Sequence, residues 1–399
     1  MGLTHRQLFQ KNVAPTSDAP LALEIVSAEH IYLTDSAGKK YIDLISGIAV
    51  SNVGHRNPDV VQAIKNQVDH YMHLMVYGEY IQSPQVLLAE ALVHSTGTRQ
   101  LSQVYFTNSG TEALEGAMKL AKRFTGRTEF ISCLNAYHGA TQGALSLAGD
   151  ENFKNSFRPL LPGIKHIRHG NMEDLAHITS KTAAIIIEIV AGEAGVRQAS
   201  KSYFKALRDV CTQTGCLLII DEIQTGFGRT GTFWAFQAMD IYPDILLTAK
   251  GMGGGMPIGA FMASESMMQT LSFNPVLGHI TTFGGHPVSC AASLATLNYI
   301  QNNKLLSSVN SKSDLFKELL KHPIIQEVRG VGLMIAVEMK DFKTVKAVID
   351  TCIENGLITD WFLFCDNALR IAPPLVMTHE EIKMACNILL QDMDQVYKS

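Results

Sequence analysis

Short, wholly apolar runs recur along the first two thirds of the chain. They are QVYFTNS (103–109), EFISCLN (129–135), AAIIIEIV (183–190), CLLIID (216–221) and DILLTAK (244–250). Stretches with helical spacing separate them, such as TEALEGAMKLAKRF (111–124) and SYFKALRDVCTQT (202–214). A strand buried on both faces reads as an unbroken apolar run, so this alternation predicts an α/β fold with a mainly parallel sheet flanked by helices. The pattern then changes. An Ala-rich helix spans 289–300 and helical spacing continues to about His322. EVRGVGLMIAVEM (327–339), a helix near 343–356 and ALRIAPPL (368–375) follow. The last helix begins near Thr378, where Thr378 and Glu381 form a capping box. This second pattern predicts a smaller α+β domain. The strand-like EHIYLTDSAGKKYIDLI, with a turn at Asp35–Gly38, is expected to join it in space. The expected division is an N-terminal segment at 1–50, a large domain at 51–289 and a small domain at 290–399.

Composition removes several function classes. At ~150 residues per domain, 399 residues suit two or three domains. With 46% hydrophobic and 18% charged residues the chain can bury a large core. Lys plus Arg total 33 against 37 Asp plus Glu, so no basic field exists for a nucleic acid. The seven cysteines are scattered without a C-x-x-C, which argues against a disulfide framework or a metal site. No apolar run approaches the ~18 residues of a membrane span. The opening MGLTHRQLFQKNVAP lacks a signal-type apolar stretch, and Arg6 breaks the myristoylation pattern. The expected compartment is the cytoplasm.

The chemistry concentrates at strand ends. Glu188, Asp221 with Glu222, and Lys250 each end an apolar run, and a Gly-rich stretch, GMGGGMPIGA, begins directly after Lys250. Ligands of open parallel sheets bind at the carboxyl ends of the strands. Asn108, Ser109, Gly110 and Thr111 form a small-residue turn before a helix. Free amides, hydroxyls and the helix dipole there suit a phosphate, although by itself the turn reads as an ordinary cap. No GK[ST] loop exists, which argues against a nucleotide triphosphatase. Gly226 to Gly231 matches G-x-G-x-x-G, but the segment after it does not read as a glycine-started helix, so the match is a weak dinucleotide signal. An amine, a carboxylate and a phosphate cup together suggest pyridoxal phosphate.

At this point the chain resembles the class III, fold type I pyridoxal-phosphate aminotransferases, close to the acetylornithine and ornithine aminotransferase group. The resemblance runs from about Leu21 to Val396. It rests on GIAVSNVGH (47–55), FTNSGTEALEGAMKLAK (106–122), AYHG (136–139), GEAGV (192–196), IIDEIQTGFGRTG (219–231), TAKGMGGGMPIGA (248–260), TTFGGHP (281–287) and LRIAPPL (369–375). The G-x-G-x-x-G match lies inside one of these motifs.

The resemblance implies roles. Lys250 matches the Schiff-base lysine, whose freed amine moves the proton during transfer. Asp221 matches the carboxylate on the pyridine nitrogen, and Gln224 the residue beside the ring's phenolic oxygen. Ser109, Gly110 and Thr111 match the phosphate cup, and Tyr137 the aromatic residue on the ring face. His138 completes that motif and is expected beside the cofactor as a hydrogen-bonded structural residue. Glu188 and Glu193 match two family glutamates, the second of which pairs with an arginine, here Arg370. That pair hides the arginine from an ω-amino substrate and releases it for the carboxylate of a 2-oxo acid. Thr282 matches a threonine that reaches the phosphate from the second subunit, which implies a homodimer with shared sites.

Three positions depart from the family. Ala140 stands where an arginine usually binds the distal carboxylate, Ile189 where Pro is usual and Ala191 where Gln is usual. Cofactor chemistry is untouched by these changes, but donor identity is not. The expected activity moves the ω-amino group of an acetylornithine- or ornithine-like donor to a 2-oxo acid, 2-oxoglutarate first. Alternatives are a diamine or 4-aminobutyrate-type aminotransferase and a non-transaminating enzyme such as an aminomutase or decarboxylase. A binding protein without activity is a further class, disfavoured by the full cofactor set.

Overall fold

The five apolar runs become strands of one sheet, four of them side by side and Gln103–Thr107 set apart by one strand, because a sheet covered on both faces buries such runs. The computed structural model describes residues 3–398. Its central sheet has seven strands, in the order Gln103–Thr107, Gly259–Ala263, Ile245–Thr248, Leu217–Asp221, Thr182–Glu188, Glu129–Cys133 and Ile164–Ile167. All run parallel except Gly259–Ala263, which is antiparallel to both neighbours. Successive side chains of one strand serve different cores. Ile185, Ile187, Leu218 and Ile220 enter one cluster, while Ala184, Ile186, Leu217 and Ile219 enter the cluster on the other face.

The small unit is built on a second sheet, Glu327–Val331, Met334–Glu338, Cys365–Ile371 and Asp360–Phe362. The N-terminal strands Ile25–Glu29, Tyr32–Asp35 and Lys40–Asp43 join this unit, since Lys40–Asp43 pairs in parallel with Leu357–Ile358. The last helix, His379–Lys398, opens with the capping box: the Glu381 amide donates to Thr378 Oγ1 at 3.2 Å and the Thr378 amide to Glu381 Oε2 at 2.8 Å.

Two details differ from the sequence expectations. The helical stretch expected to reach His322 is two helices, Pro287–Asn302 and Leu306–Leu319, broken where Lys304 takes a φ of 50°. The first of them packs on the large unit: Cys290, Ala292, Leu297 and Ile300 belong to its core, and the small unit's core takes up at Val309. By packing, the helix Pro287–Asn302 therefore belongs with the large unit's core. Met334, Ala336, Phe362 and Ala368 of the small sheet also enter the large core, so the two units share an apolar seam. Among the described residues, no helix is long and apolar enough to cross a membrane.

Candidate active site

Strand register assembles the site. Glu188 and Asp221 are direct partners on adjacent parallel strands, at the carboxyl edge of the sheet. The neighbouring strand stops at Thr248, and Lys250 starts a short 3-10 turn beyond it. The lysine is therefore not at a strand end. It has a φ of 40°, the left-handed region that costs a non-glycine residue about 1–3 kcal/mol. A cavity of about 520 Å³ opens there, lined by Ser109, Gly110, Thr111, Tyr137, His138, Glu188, Glu193, Asp221, Gln224 and Lys250, with Ala140 at its wall. Ten of the twelve residues singled out by sequence thus meet in one hollow. Arg370 lies behind it, against Gln224 and Glu193. Thr282 is exposed and outside the cavity, its carbonyl accepting a bond from His73 Nε2 at 2.9 Å.

Hydrogen bonds fix Asp221 and His138 against each other. Asp221 Oδ2 lies 2.7 Å from His138 Nδ1, and its Oδ1 accepts the Ile223 amide at 2.9 Å. Burial pushes the His138 imidazole down, but the hydrogen bond and charge of Asp221 more than reverse this, and its pKa is raised. Glu188 is 8% exposed, and burial, opposed by the charge of His138, lifts its carboxyl to about 8. Lys250 keeps part of its surface on the cavity, yet desolvation draws its amine below the usual lysine value, with Glu193 opposing and Arg370 assisting. The result is an amine closer to its nucleophilic, neutral form.

Arg370 and Glu193 form a bidentate pair, with Nη1–Oε1 at 2.8 Å and Nη2–Oε2 at 2.9 Å, both side chains under a tenth exposed. Burial raises the Glu193 carboxyl, but the charge and hydrogen bonds of Arg370 win and hold it below the ordinary range. Three partners of Arg370 were not legible in the sequence. Its Nε lies 3.0 Å from Asp360 Oδ1, its guanidinium stacks 4.5 Å over Phe362, and Nη2 donates to the Trp361 carbonyl at 3.0 Å. Asp360 is opposite Arg370 across the strand pair. Its strand of three residues, DWF, has no alternation long enough to read.

The donor set fits pyridoxal phosphate. The carboxylate ends one strand, the amine lies two residues beyond the end of the adjoining strand, and the first turn of the helix Gly110–Thr125 lines the same cavity. Its first amides have no intrahelical acceptor and can receive a phosphate. Ser109 Oγ caps that helix at the Glu112 amide, 3.3 Å. Gly139, at φ 134°, lets the loop close on this turn, since a Cβ there would come 2.3 Å from Thr111 Oγ1. His138 Nε2 and Glu188 Oε2 are buried without a hydrogen-bond partner among the described residues.

Known proteins agree with this geometry. The family described as "Aminotransferase class-III" matches residues 13–393. The chain is 38% identical over 375 residues to the mitochondrial acetylornithine aminotransferase of Alnus glutinosa, covering 90% of this chain and 81% of that one. It is 38% identical over 390 residues to the acetylornithine aminotransferase of Methanocaldococcus jannaschii, covering 95% of each. Among solved structures, the ornithine aminotransferase of Toxoplasma gondii superposes with a TM-score of 0.90 at 28% identity, over 98% of this chain and 93% of that one. A PLP-bound amine transaminase from an uncultivated Pseudomonas species gives 0.88 at 27% identity, over 96% and 98%. The chain belongs to the class III aminotransferases and is a pyridoxal-phosphate-dependent transaminase.

Proposed function

We infer that this transaminase takes the ω-amino group of an acetylornithine- or ornithine-like donor and passes it to a 2-oxo acid, with 2-oxoglutarate the first candidate acceptor. The observation that carries the reading is the buried bidentate Glu193–Arg370 pair beside the Lys250 cavity. A site that handles only one kind of substrate has no use for an arginine masked by a carboxylate. A site that binds an ω-amine first and a 2-oxo acid second does, because the same guanidinium must be covered in one half and free in the other.

The residues divide the work accordingly. When bound, pyridoxal phosphate supplies an electrophilic carbon and an electron-withdrawing ring that stabilises negative charge on the substrate carbon. Lys250 holds the cofactor, then takes and returns the proton of the substrate carbon with its free amine. Asp221 would accept a hydrogen bond from the ring nitrogen and keep it protonated, and His138 holds the Asp221 carboxylate in place. Ser109, Gly110 and Thr111 would hold the phosphate, Tyr137 would cover the ring face, Gln224 would sit beside the ring's phenolic oxygen, and Glu188 lines the same cavity. A homodimer belongs to this reading, with the partner subunit bringing the residue equivalent to Thr282. The exposed apolar side chains Met72, Ile81, Val276 and Phe283, on segments bordering Thr282 in sequence or joined to it through His73, support it. A cytoplasmic setting is also part of the reading, although one similar protein is named as mitochondrial.

A second reading rests on Ala140. Among the described residues lining the cavity, Lys250 is the one lysine or arginine, so a distal carboxylate meets no arginine in that lining. A diamine donor needs none. A panel of acetylornithine, succinylornithine, ornithine, 4-aminobutyrate and putrescine against 2-oxoglutarate and pyruvate separates the two. Turnover of putrescine with no turnover of carboxylated donors overturns the first reading and leaves the cofactor chemistry standing.

A further inference from the structure

The glycine-rich loop 226–231, which resembles a dinucleotide loop in sequence, holds a buried cation outside the cavity. Arg229 has no exposed surface. Its Nη1 donates to the carbonyls of Leu333, at 3.1 Å, and of Pro373. Its Nη2 donates to Asn52 Oδ1 and, at 3.4 Å, to Ser46 Oγ. Among the described residues no carboxylate lies within ion-pair distance of it. Burial draws its pKa down to about 9, with Asp43 opposing through space, so it remains a cation at neutral pH. A buried charge surrounded only by neutral oxygens is costly and calls for a reason.

The reason lies in what those oxygens belong to. Leu333 is in the turn that joins Glu327–Val331 to Met334–Glu338, and Pro373 lies three residues beyond Arg370. Met334–Glu338 pairs with Cys365–Ile371, with Ala336 opposite Arg370. Arg229 therefore grips the segments that flank both strands of the pair that carries Arg370, from a loop that starts two residues after Gln224. The Arg229 carbonyl also accepts the Leu333 amide at 2.9 Å. Asn52 closes the ring: its Nδ2 donates to the Phe227 carbonyl at 3.0 Å, and its carbonyl accepts the Leu375 amide at 2.8 Å.

We propose that Arg229 is a positioning residue for the acceptor half of the reaction, fixing where Arg370 stands relative to Lys250 and Gln224. It touches no reacting atom. Carbonyl and amide oxygens do not change charge during turnover, so this grip holds in both halves, whereas the hold of Glu193 on Arg370 is conditional. The inference rests on the reading that Arg370 receives the acceptor's carboxylate.

The test is Arg229→Lys in the holoenzyme, which keeps a cation but loses the planar fork. The donor half-reaction, followed by cofactor absorbance in single turnover, should stay within about twofold of wild type. The kcat/KM for the 2-oxo acid should fall at least tenfold, chiefly through KM. Thermal unfolding run alongside establishes that the variant is folded. Equal losses in both halves, or no loss in either, overturn the proposal. Asn52→Ala leaves the arginine in place and removes one acceptor, so it should show the same split on a smaller scale and decides the matter if the lysine variant does not fold. Arg370→Gln in parallel separates the two levels. If it leaves the acceptor KM unchanged, the reading of Arg370 fails; if it raises that KM while Arg229→Lys does not, only the positioning role fails.

Discussion

Arg370 holds Glu193 with both arms of its guanidinium while its third nitrogen lies 3.0 Å from Asp360. Two carboxylates thus share one arginine, and they differ in setting. Asp360 sits on a paired strand, whereas Glu193 sits on the turn after Val190–Ala191. In the proposed exchange Glu193 is the partner that withdraws.

Glu193→Gln should therefore uncover Arg370. The side chain keeps its shape but loses the charge that masks the guanidinium, and one bidentate ion pair becomes a single neutral contact. Discrimination between ω-amino and α-amino donors should relax by at least tenfold, because an α-carboxylate can then dock in the first half-reaction. Single-turnover rates with glutamate and with acetylornithine measure it. An unchanged ratio contradicts the masking role.

His138 and Asp221 make a pH-dependent contribution. The folded imidazole is raised above its unfolded value of about 6.5. Its stabilisation is therefore complete below that value and is lost as pH rises through the folded one. Thermal unfolding of wild type and His138→Gln from pH 5.5 to 9 should show the largest gap at the acid end and a narrowing gap above pH 6.5. A gap that widens with pH contradicts the pairing.

The sequence made the chemistry legible wherever it sat on strand ends or in a helix cap. Apolar runs such as AAIIIEIV must be buried on both faces, so their first polar residues fall at the sheet edge, where Glu188 and Asp221 are found. Partners set by tertiary packing were not legible. Nothing local marks GAFMA as a strand opposed to its neighbours, because direction follows from the topology of the connections. The Ala-rich helix Pro287–Asn302 carries no sign of which unit it packs on. Asp360 reaches Arg370 only through cross-strand register, and His138 finds Asp221 across 83 residues of chain.

Glu188 behaves in the opposite sense from an ordinary surface carboxylate. Its folded pKa is near 8, against about 4.3 unfolded, so folding favours the protonated form. Stability then declines as pH rises between those values. Glu188→Gln mimics the protonated state, and its unfolding temperature should exceed wild type by an increment that grows from pH 5 to pH 8. A variant less stable than wild type at pH 8 would show that the charged carboxylate is the favoured form.

Lys250→Ala should lose turnover by at least a thousandfold, since no other amine lines the cavity among the described residues. The Gly110 helix terminus and Asp221 remain, so cofactor should still bind, but dialysis should remove it and borohydride should no longer fix it to the chain. Mass measurement after reduction checks this. Turnover near the wild-type level without added amine contradicts the assignment.

Ala140 lines the cavity where the family's distal arginine usually stands, and burying a carboxylate without a partner costs several kcal/mol. Ala140→Arg supplies such a partner, and a charge-assisted hydrogen bond contributes about 1.5–3 kcal/mol. With an acetylornithine-like donor, the new charge should leave kcat/KM unchanged or raise it. With a diamine it places two cations together, and kcat/KM should fall by more than tenfold, over ~1.4 kcal/mol. The acceptor must be held constant, because 2-oxoglutarate has a distal carboxylate of its own and would gain from the arginine independently. Pyruvate lacks that group and serves as the fixed acceptor. We expect wild type to favour carboxylated donors and Ala140→Arg to retain or improve them. A variant that loses a wild-type activity toward putrescine, with no carboxylated donor used by either protein, transfers the assignment to the diamine class.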